Sequence, residues 1–440
     1  INPILLFFSY GGIEMEKTRM HLISTLIVII FISIAFTAYL STMDGKLPRK
    51  SKTANASIVW KGEIDLDICP DIYTAPFFEV RRLINFTEGG FGTNAIACAD
   101  FNDDGWEDFV VSYFWDMRDG HGANISIFYN INGTAFRRIT ITPPLKNSIW
   151  DIDVGDFDGD GDKDILISRY PSVCSENISY VVEIIWNENG TFNYFNRTRI
   201  MTISSRNGIL EYHIPNPGEL STNDWGVPHI AVADFNHDGY DDFVLFTNCA
   251  KLSLFLNRGN GTFSYNGTIY DYGIGGRGVA TADFNHDGYP DLVVSAMNDG
   301  TMPVDAPGYI YIKLNNHSPE CFDRKSPGIL VATLPVEEQA NHTLGLIPTG
   351  TLEVLDYNND GLLDVLLGED NCIFMFIQRS NFTFEPFLVA QLQKRNLEWV
   401  DDLMDGGFAV ANFDHDGWDD FVQGGSRGMV RLFINNRTFI

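Results

Sequence analysis

Positive charge is scarce in this sequence: 30 Lys and Arg stand against 58 Asp and Glu among 440 residues, a formal charge of −28. Phosphate backbones are met by basic patches, so this balance argues against nucleic acid as a partner. Cysteine is sparse as well. Cys69, Cys98, Cys174, Cys249, Cys321 and Cys372 form no Cys-x-x-Cys pair and show no zinc spacing. In an oxidising compartment they allow up to three disulfides among about fifteen pairings. Cys98 lies within an apolar strand pattern and reads equally as a buried free thiol.

Catalytic motifs are lacking too. Gly273-Ile274-Gly275-Gly276-Arg277-Gly278 has dinucleotide-loop spacing, but it precedes a strand pattern, with no helix N-terminus to meet a pyrophosphate. Gly424-Gly425-Ser426-Arg427-Gly428 has nucleophile-elbow spacing, yet it sits between strand patterns and no His follows Ser426. The expectation is a protein that is not an enzyme.

A long apolar run occurs once. Residues 22 to 40, LISTLIVIIFISIAFTAYL, carry no charge and are long enough to span a bilayer. They predict a transmembrane signal-anchor at 21–40, after an N-terminal segment 1–20 in which Met15 and Met20 are candidate starts. A linker at 41–57 then leads to a folded domain at 58–440. The alternative is a cleaved signal peptide with a Ser33-Ile34-Ala35 site and a secreted product.

What is abundant is repetition. The pattern Asp-Phe/Tyr-Asn/Asp-x-Asp-Gly-x-x-Asp starts at Asp100, Asp156, Asp234, Asp283 and Asp356, with a sixth copy at Asn412. The starts lie 56, 78, 49, 73 and 56 residues apart, a blade-sized period with two longer members. Short apolar strand patterns flank each loop (IAVADF before, DFVLF after), and a third ends in a recurring Asn/Gly turn and Phe, as in LSLFLNRGNGTF. Strand, acidic loop, strand, strand and a Phe-led fourth strand make a four-stranded unit, and radial units make an all-β propeller. Six loops predict six blades; a seventh, loopless blade would have room only within residues 55 to 90. The last unit stops at Ile440 where its fourth strand should begin, and FFEVRRLINF at 77 to 86 is a strand pattern without partners. The N-terminal strand is therefore expected to complete the C-terminal blade, which removes the exposed edges of an open array.

Calcium takes six to eight oxygens, and Asp-x-Asp/Asn-x-Asp-Gly wraps alternate side chains around such an ion while Gly permits the turn. The candidate ligands are Asp100, Asn102, Asp104 and Asp108; Asp156, Asp158, Asp160 and Asp164; Asp234, Asn236, Asp238 and Asp242. The later loops supply Asp283, Asn285, Asp287 and Asp291; Asp356, Asn358, Asp360 and Asp364; Asn412, Asp414, Asp416 and Asp420. In the third loop the Tyr240 carbonyl lies between them. Unlike an EF-hand, each loop closes with Asp at position 9 and runs into a strand. Up to six Ca²⁺ are predicted, held by 19 carboxylates. His237, His286 and His415 sit at loop position 4, where sister loops hold Asp103, Gly159 and Asn359, so no imidazole chemistry is required and solvent-facing filler is expected.

These loops and strands resemble the FG-GAP/VCBS repeats of integrin α-subunit β-propellers over roughly residues 77 to 440. The resemblance implies that calcium sits in the hairpin between the first two strands of a blade, and that this rim lies away from the ligand face. The Phe-Gly and Gly-Ala-Pro marks of integrin repeats are mostly missing, which favours the VCBS-like branch.

Thirteen Asn-x-Ser/Thr sequons mark candidate N-glycosylation sites: Asn55, Asn85, Asn124, Asn132, Asn177, Asn189, Asn196, Asn260, Asn266, Asn316, Asn341, Asn381 and Asn436. The repeat's Asn-Gly-Thr turn accounts for Asn132, Asn189 and Asn260. Lys46, Arg49, Lys50 and Lys52 after the apolar run outnumber Lys17 and Arg19 before it, which alone would hold the domain in the cytoplasm. The sequons and the weak calcium sites of extracellular modules point outward. Trp150, Trp225 and Trp399, each shortly before a first strand, are the candidate ligand-binding aromatics, together with inserts near 170 to 228 and 298 to 350. The expected function is extracellular recognition or adhesion toward a protein or glycan on the face opposite the calcium hairpins. A carbohydrate-binding lectin and a polysaccharide lyase are the alternatives.

Overall fold

The computed structural model describes residues 72–74, 78–85, 90–115, 123–133, 135–141, 148–170, 179–204, 228–247, 251–273, 275–297, 308–334, 351–369, 372–380, 382–392, 407–425 and 429–437. The 21–40 segment, the 41–57 linker, Trp225, Trp399, Cys69, Cys174, Cys249, Asn55, Asn177, Asn341 and Asn381 lie outside these residues. No helix among the described residues is long and apolar enough to cross a membrane.

Two strands come first, β1 (Ile72–Thr74) and β2 (Phe78–Asn85). Blade 1 follows as β3 (Gly90–Ala99), β4 (Asp108–Trp115), β5 (Ala123–Ile131) and β6 (Ala135–Thr140). Blade 2 is β7 (Ser148–Gly155), β8 (Asp164–Tyr170), β9 (Ser179–Asn187) and β10 (Phe192–Ser204). Blade 3 is β11 (Pro228–Ala233), β12 (Asp242–Thr247), β13 (Lys251–Asn257) and β14 (Phe263–Asp271). Blade 4 is β15 (Gly275–Ala282), β16 (Asp291–Met297), β17 (Gly308–Lys313) and β18 (Ile329–Leu334). Blade 5 is β19 (Thr351–Leu355), β20 (Asp364–Glu369), β21 (Cys372–Ser380) and β22 (Thr383–Leu392). Blade 6 contributes β23 (Phe408–Ala411), β24 (Asp420–Gly425) and β25 (Met429–Asn435).

Each blade is an antiparallel meander, and the six sheets form a six-bladed propeller. The first strands touch in the order β3, β7, β11, β15, β19, β23, and β23 returns to β3. As the ends of the sequence require, β2 is the fourth strand of blade 6, paired antiparallel with β25 from Phe78 against Asn435 to Asn85 against Met429. One detail departs from the four-stranded expectation: β1 adds a fifth strand to blade 5 through β22. Residues 72–74 and 78–85 are thus spent on the edges of two existing sheets rather than on another blade.

The second strands are buried at every residue whose burial is described, because both their faces pack. In β12 every residue is buried. Phe243 and Leu245 enter the cluster shared with blade 2, whereas Val244 and Phe246 enter the one shared with blade 4. Alternate side chains leave a strand on opposite faces, so a continuous apolar run feeds two interfaces. Burying each such side chain is worth about 1.5–3 kcal/mol. Six clusters of this kind lie between neighbouring blades, including one between blades 6 and 1.

The two recurring phenylalanines meet across these interfaces. The Phe of one blade's loop packs edge-on against the Phe that follows the next blade's third strand: Phe101 with Phe192 (5.4 Å), Phe157 with Phe263 (5.9 Å), Phe235 with Phe322 (5.6 Å) and Phe413 with Phe136 (6.3 Å). Between blades 5 and 6, Phe78 of β2 takes this place against Tyr357 (5.7 Å).

Candidate metal centres

Each first hairpin folds onto its own carboxylates. In blade 3, Asp234 accepts the N–H groups of Asp238 (3.1 Å) and Gly239 (2.9 Å), Asn236 accepts that of Asp238 (2.9 Å), and Asp238 accepts that of Tyr240 (3.1 Å). Blades 1, 4 and 5 repeat this pattern around Asp104, Asp287 and Asp360. In blade 6 Asn412 fills the first place and still accepts the Asp416 N–H (3.0 Å), so the amide preserves the turn with one less charge. Gly239 has φ +92° with open space where a Cβ would stand; the backbone angle, not crowding, demands glycine.

Position 9 is buried in all six loops: Asp108, Asp164, Asp242, Asp291, Asp364 and Asp420 are 0–1% exposed. Each carboxylate is a bracket. One oxygen of Asp242 accepts the Phe235 N–H (3.2 Å) and the other the Asn257 N–H (2.7 Å), which ties the hairpin to the end of the third strand. Burial pushes these carboxyls up, against the pull of the two N–H donors, to about 7 for Asp108, Asp164, Asp364 and Asp420 and about 6 for Asp291. Asp242 rises to about 8. Burial of this kind disfavours the ionised carboxyl, and either a proton or a countercharge such as a dication relieves it.

The donor set fits calcium. All candidate side-chain ligands offer hard oxygens, and each oxygen that accepts one N–H retains a second lone pair. Asp156, Asp158 and Asp164 bring one oxygen each within 4.8 Å of one another. Two oxygens on one calcium lie no more than about 5 Å apart, given bonds of 2.3–2.6 Å. In blades 4 and 6 a side chain already leans on the position-5 carboxylate: His317 Nε2 lies 2.8 Å from Asp287, and the Arg437 guanidinium holds Asp416.

Sequence reasoning passed over the residue that links one centre to the next. The Asn ending each third strand turns its amide into the preceding blade's loop: Asn187 donates to the Phe101 carbonyl (3.0 Å), Asn257 to Phe157 (2.9 Å), Asn315 to Phe235 (2.9 Å), Asn435 to Tyr357 (2.9 Å) and Asn130 to Phe413 (2.9 Å). Each also donates to its own loop and accepts a turn N–H, as Asn187 does with the Lys163 carbonyl (3.1 Å) and the Gly190 N–H (2.8 Å). Blade 5 has Gln378 here, whose buried Oε1 has no partner. The signal was the Asn that recurs at the end of the third strand in five of the six units. Position 4 has a further feature: it is left-handed (φ 57° at His237, 59° at His415). His237, His286 and His415 are exposed, as expected, and two of them also stack across blades, His237 on Tyr289 (3.9 Å) and His415 on Trp106 (3.7 Å).

These contacts set all six hairpins side by side on one rim. Trp150 is half-buried near the start of β7, at the opposite rim. Tyr270, Tyr272, Tyr309 and Tyr311 cluster in blades 3 and 4 toward that same rim, with Tyr270–Tyr272 and Tyr272–Tyr311 centroids 4.8 and 5.7 Å apart. Among the sequons, Asn132, Asn189, Asn260, Asn316 and Asn436 are exposed and Asn124 is half-buried. Asn85 lies in β2. Asn196 donates to Glu188 (2.7 Å), and Asn266 is held by the Pro319 carbonyl (3.1 Å) and Arg324 (2.9 Å). Cys98 and Cys321 are free thiols. The Gly273–Gly278 motif runs into β15, and Gly424 and Gly425 lie in β24.

A model of the FG-GAP-like repeat family matches residues 100–167 and 234–294, which carry the hairpins of blades 1 to 4. Integrin alpha-3 of Cricetulus griseus is 31% identical over 86 residues, covering 18% of this chain and 8% of the integrin. With one such hairpin in every blade, the six-bladed propeller is similar to FG-GAP-repeat, integrin-like β-propellers, and the chain spans only a small part of the integrin it matches.

Proposed function

We propose that this chain is an extracellular recognition propeller, stabilised by calcium in its six first hairpins, N-glycosylated, and tethered through 21–40. Its partner is a protein bound on the rim opposite the hairpins. The observation that carries the reading is the six buried position-9 carboxyls gathered on one rim, a scaffold that positive charge would stabilise and that leaves the other rim for contact. The half-buried tyrosines of blades 3 and 4 and Trp150 supply aromatic surface on that second rim. Aromatic anchors of this kind dominate protein interfaces. The similarity to an integrin segment favours a protein over a glycan partner.

Thermal melting in calcium and in chelator tests the scaffold. At millimolar calcium and dissociation constants of 0.1–1 mM, each site contributes about 0.4–1.4 kcal/mol, or about 2–8 kcal/mol over six sites. Identical melting curves would remove calcium from the assignment. Treating host-derived protein with a glycan-releasing amidase tests the compartment: a fall of many kilodaltons is expected, and an unchanged mass would place the propeller in the cytoplasm.

A further inference from the structure

Each third strand runs antiparallel to a second strand that begins at the hairpin, so every third strand ends on the hairpin rim. The residues around that end hold an exposed sequon asparagine in five blades: Asn132 in blade 1, Asn189 in blade 2, Asn260 in blade 3, Asn316 in blade 4 and Asn436 in blade 6. In blade 5 the corresponding sequon, Asn381, lies outside the described residues. The repeat thus sets a candidate sugar site beside a candidate metal loop, blade after blade.

These turns lie against the loops themselves. Asp162 of the blade 2 hairpin accepts the Asn189 N–H (2.6 Å). A Cβ on Gly190 would stand 3.2 Å from the Cα of Asn102 in the loop of blade 1, and one on Gly133 would stand 3.2 Å from the Cα of Asp414 in that of blade 6. The side chains are placed for attachment. Asn260 and Asn316 turn Oδ1 inward, to the Thr262 N–H (3.1 Å) and the Ser318 N–H (3.0 Å). Among the described residues no hydrogen bond engages Nδ2 of Asn132, Asn189, Asn260 or Asn316. Three other sequons differ: Asn124 is half-buried in β5, Asn196 donates Nδ2 to Glu188 (2.7 Å), and Asn266 is clamped between the Pro319 carbonyl and Arg324.

From this geometry we infer that the hairpin rim carries a ring of N-glycans, one on each of these five asparagines, and that the ring closes this rim to protein while leaving it open to calcium. The inference rests on the extracellular compartment proposed above. In each attachment Asn Nδ2 forms a bond to the anomeric carbon of a lipid-diphosphate-linked oligosaccharide; Nδ2 gives up one proton, the bond from that carbon to the diphosphate oxygen breaks, and the lipid diphosphate leaves. Such glycans are bulky and keep the surface they cover in water. The hairpin rim has aromatic surface of its own in the half-buried Trp106, Tyr240 and Tyr289. Sugar over that rim directs a protein partner to the opposite one.

Amidase release in heavy-oxygen water converts each occupied asparagine to a labelled aspartate, which peptide mass spectrometry of the host-derived full chain reads site by site. Label at each of the five ring positions is expected. A ring position without label while other sequons carry it overturns the inference and leaves the compartment standing; no label anywhere overturns both. Asp103→Cys tests the shield. This exposed residue is outside the ligand set and adjoins Asn102, which the Asn189 turn touches. On the calcium-loaded chain, the labelling rate of a maleimide bearing a long polyethylene glycol chain, divided by that of a small maleimide, should rise several-fold once the glycans are released, with the unsubstituted chain giving the background of the native cysteines. A ratio unchanged by release overturns the shield.

Discussion

Asn187 makes one side chain do three things: it spans to the Phe101 carbonyl of blade 1, holds its own hairpin at Lys163, and caps its own turn at Gly190. Replacing it with Ala strands two buried carbonyls, each at roughly 1–3 kcal/mol. Asn187→Ala should therefore lower the denaturant midpoint clearly, read by urea unfolding in calcium. Gln378 offers the converse. Its unpaired, buried Oε1 marks the one blade that lacks this asparagine, and Gln378→Asn should raise the melting temperature by restoring the bond toward the Phe284 carbonyl. A lower melting temperature would mean that this interface is spaced for the longer side chain. The letters for this latch were plain in the sequence, since Asn or Gln precedes every turn. Their task was not, because periodicity shows that a residue recurs and not which neighbouring blade it touches.

At the scale of the element, the hairpin combines a turn held by its own N–H donors with a carboxyl whose burial disfavours the charged form. Asp242, pushed to about 8 by burial, has a folded value above its unfolded one near 4. Between those values the folded state binds the extra proton, so its stabilising contribution is complete below about pH 4 and is lost as pH rises through about 8. The other position-9 carboxyls, at about 6 to 7, act in the same sense over a lower window. Chelator-treated protein should accordingly melt higher at pH 5.5 than at pH 8.5, and calcium should abolish most of that difference. A melting temperature that climbs with pH in chelator would contradict the burial of these groups. The hairpins and their strands were legible from Asp-Gly turns and short Val/Ile/Phe runs. The fifth strand β1 was not, because register is decided by the partner strand rather than by the local pattern.

For the whole molecule, the decisive step is closure, and it rests on a segment more than 340 residues away in sequence from the strand it joins. Ring closure was readable from a last unit short of a strand and a first strand without a sheet. The aromatic that performs it was not singled out. Phe78 is 3% exposed and lies against Tyr357 (5.7 Å), Phe421 (4.9 Å) and Phe433 (6.2 Å), the place that Phe136, Phe192, Phe263 and Phe322 take at other interfaces. Elsewhere that phenylalanine comes from the same hairpin-linked meander, so its neighbours hold it in position; here it arrives on β2, tied to blade 6 through β25 alone among the strands of that sheet. Phe78→Ala should cost about 3–5 kcal/mol, the range for a buried aromatic reduced to methyl. Because β2 would detach and bare the β25 edge, concentration-dependent association should accompany the loss. Phe136→Ala, partly buried and inside a covalent meander, should lower stability less and promote no new association. Melting temperature and light scattering on the two variants separate the readings: equal losses without association in either would show that the ring closes no differently at β2 than at its other seams.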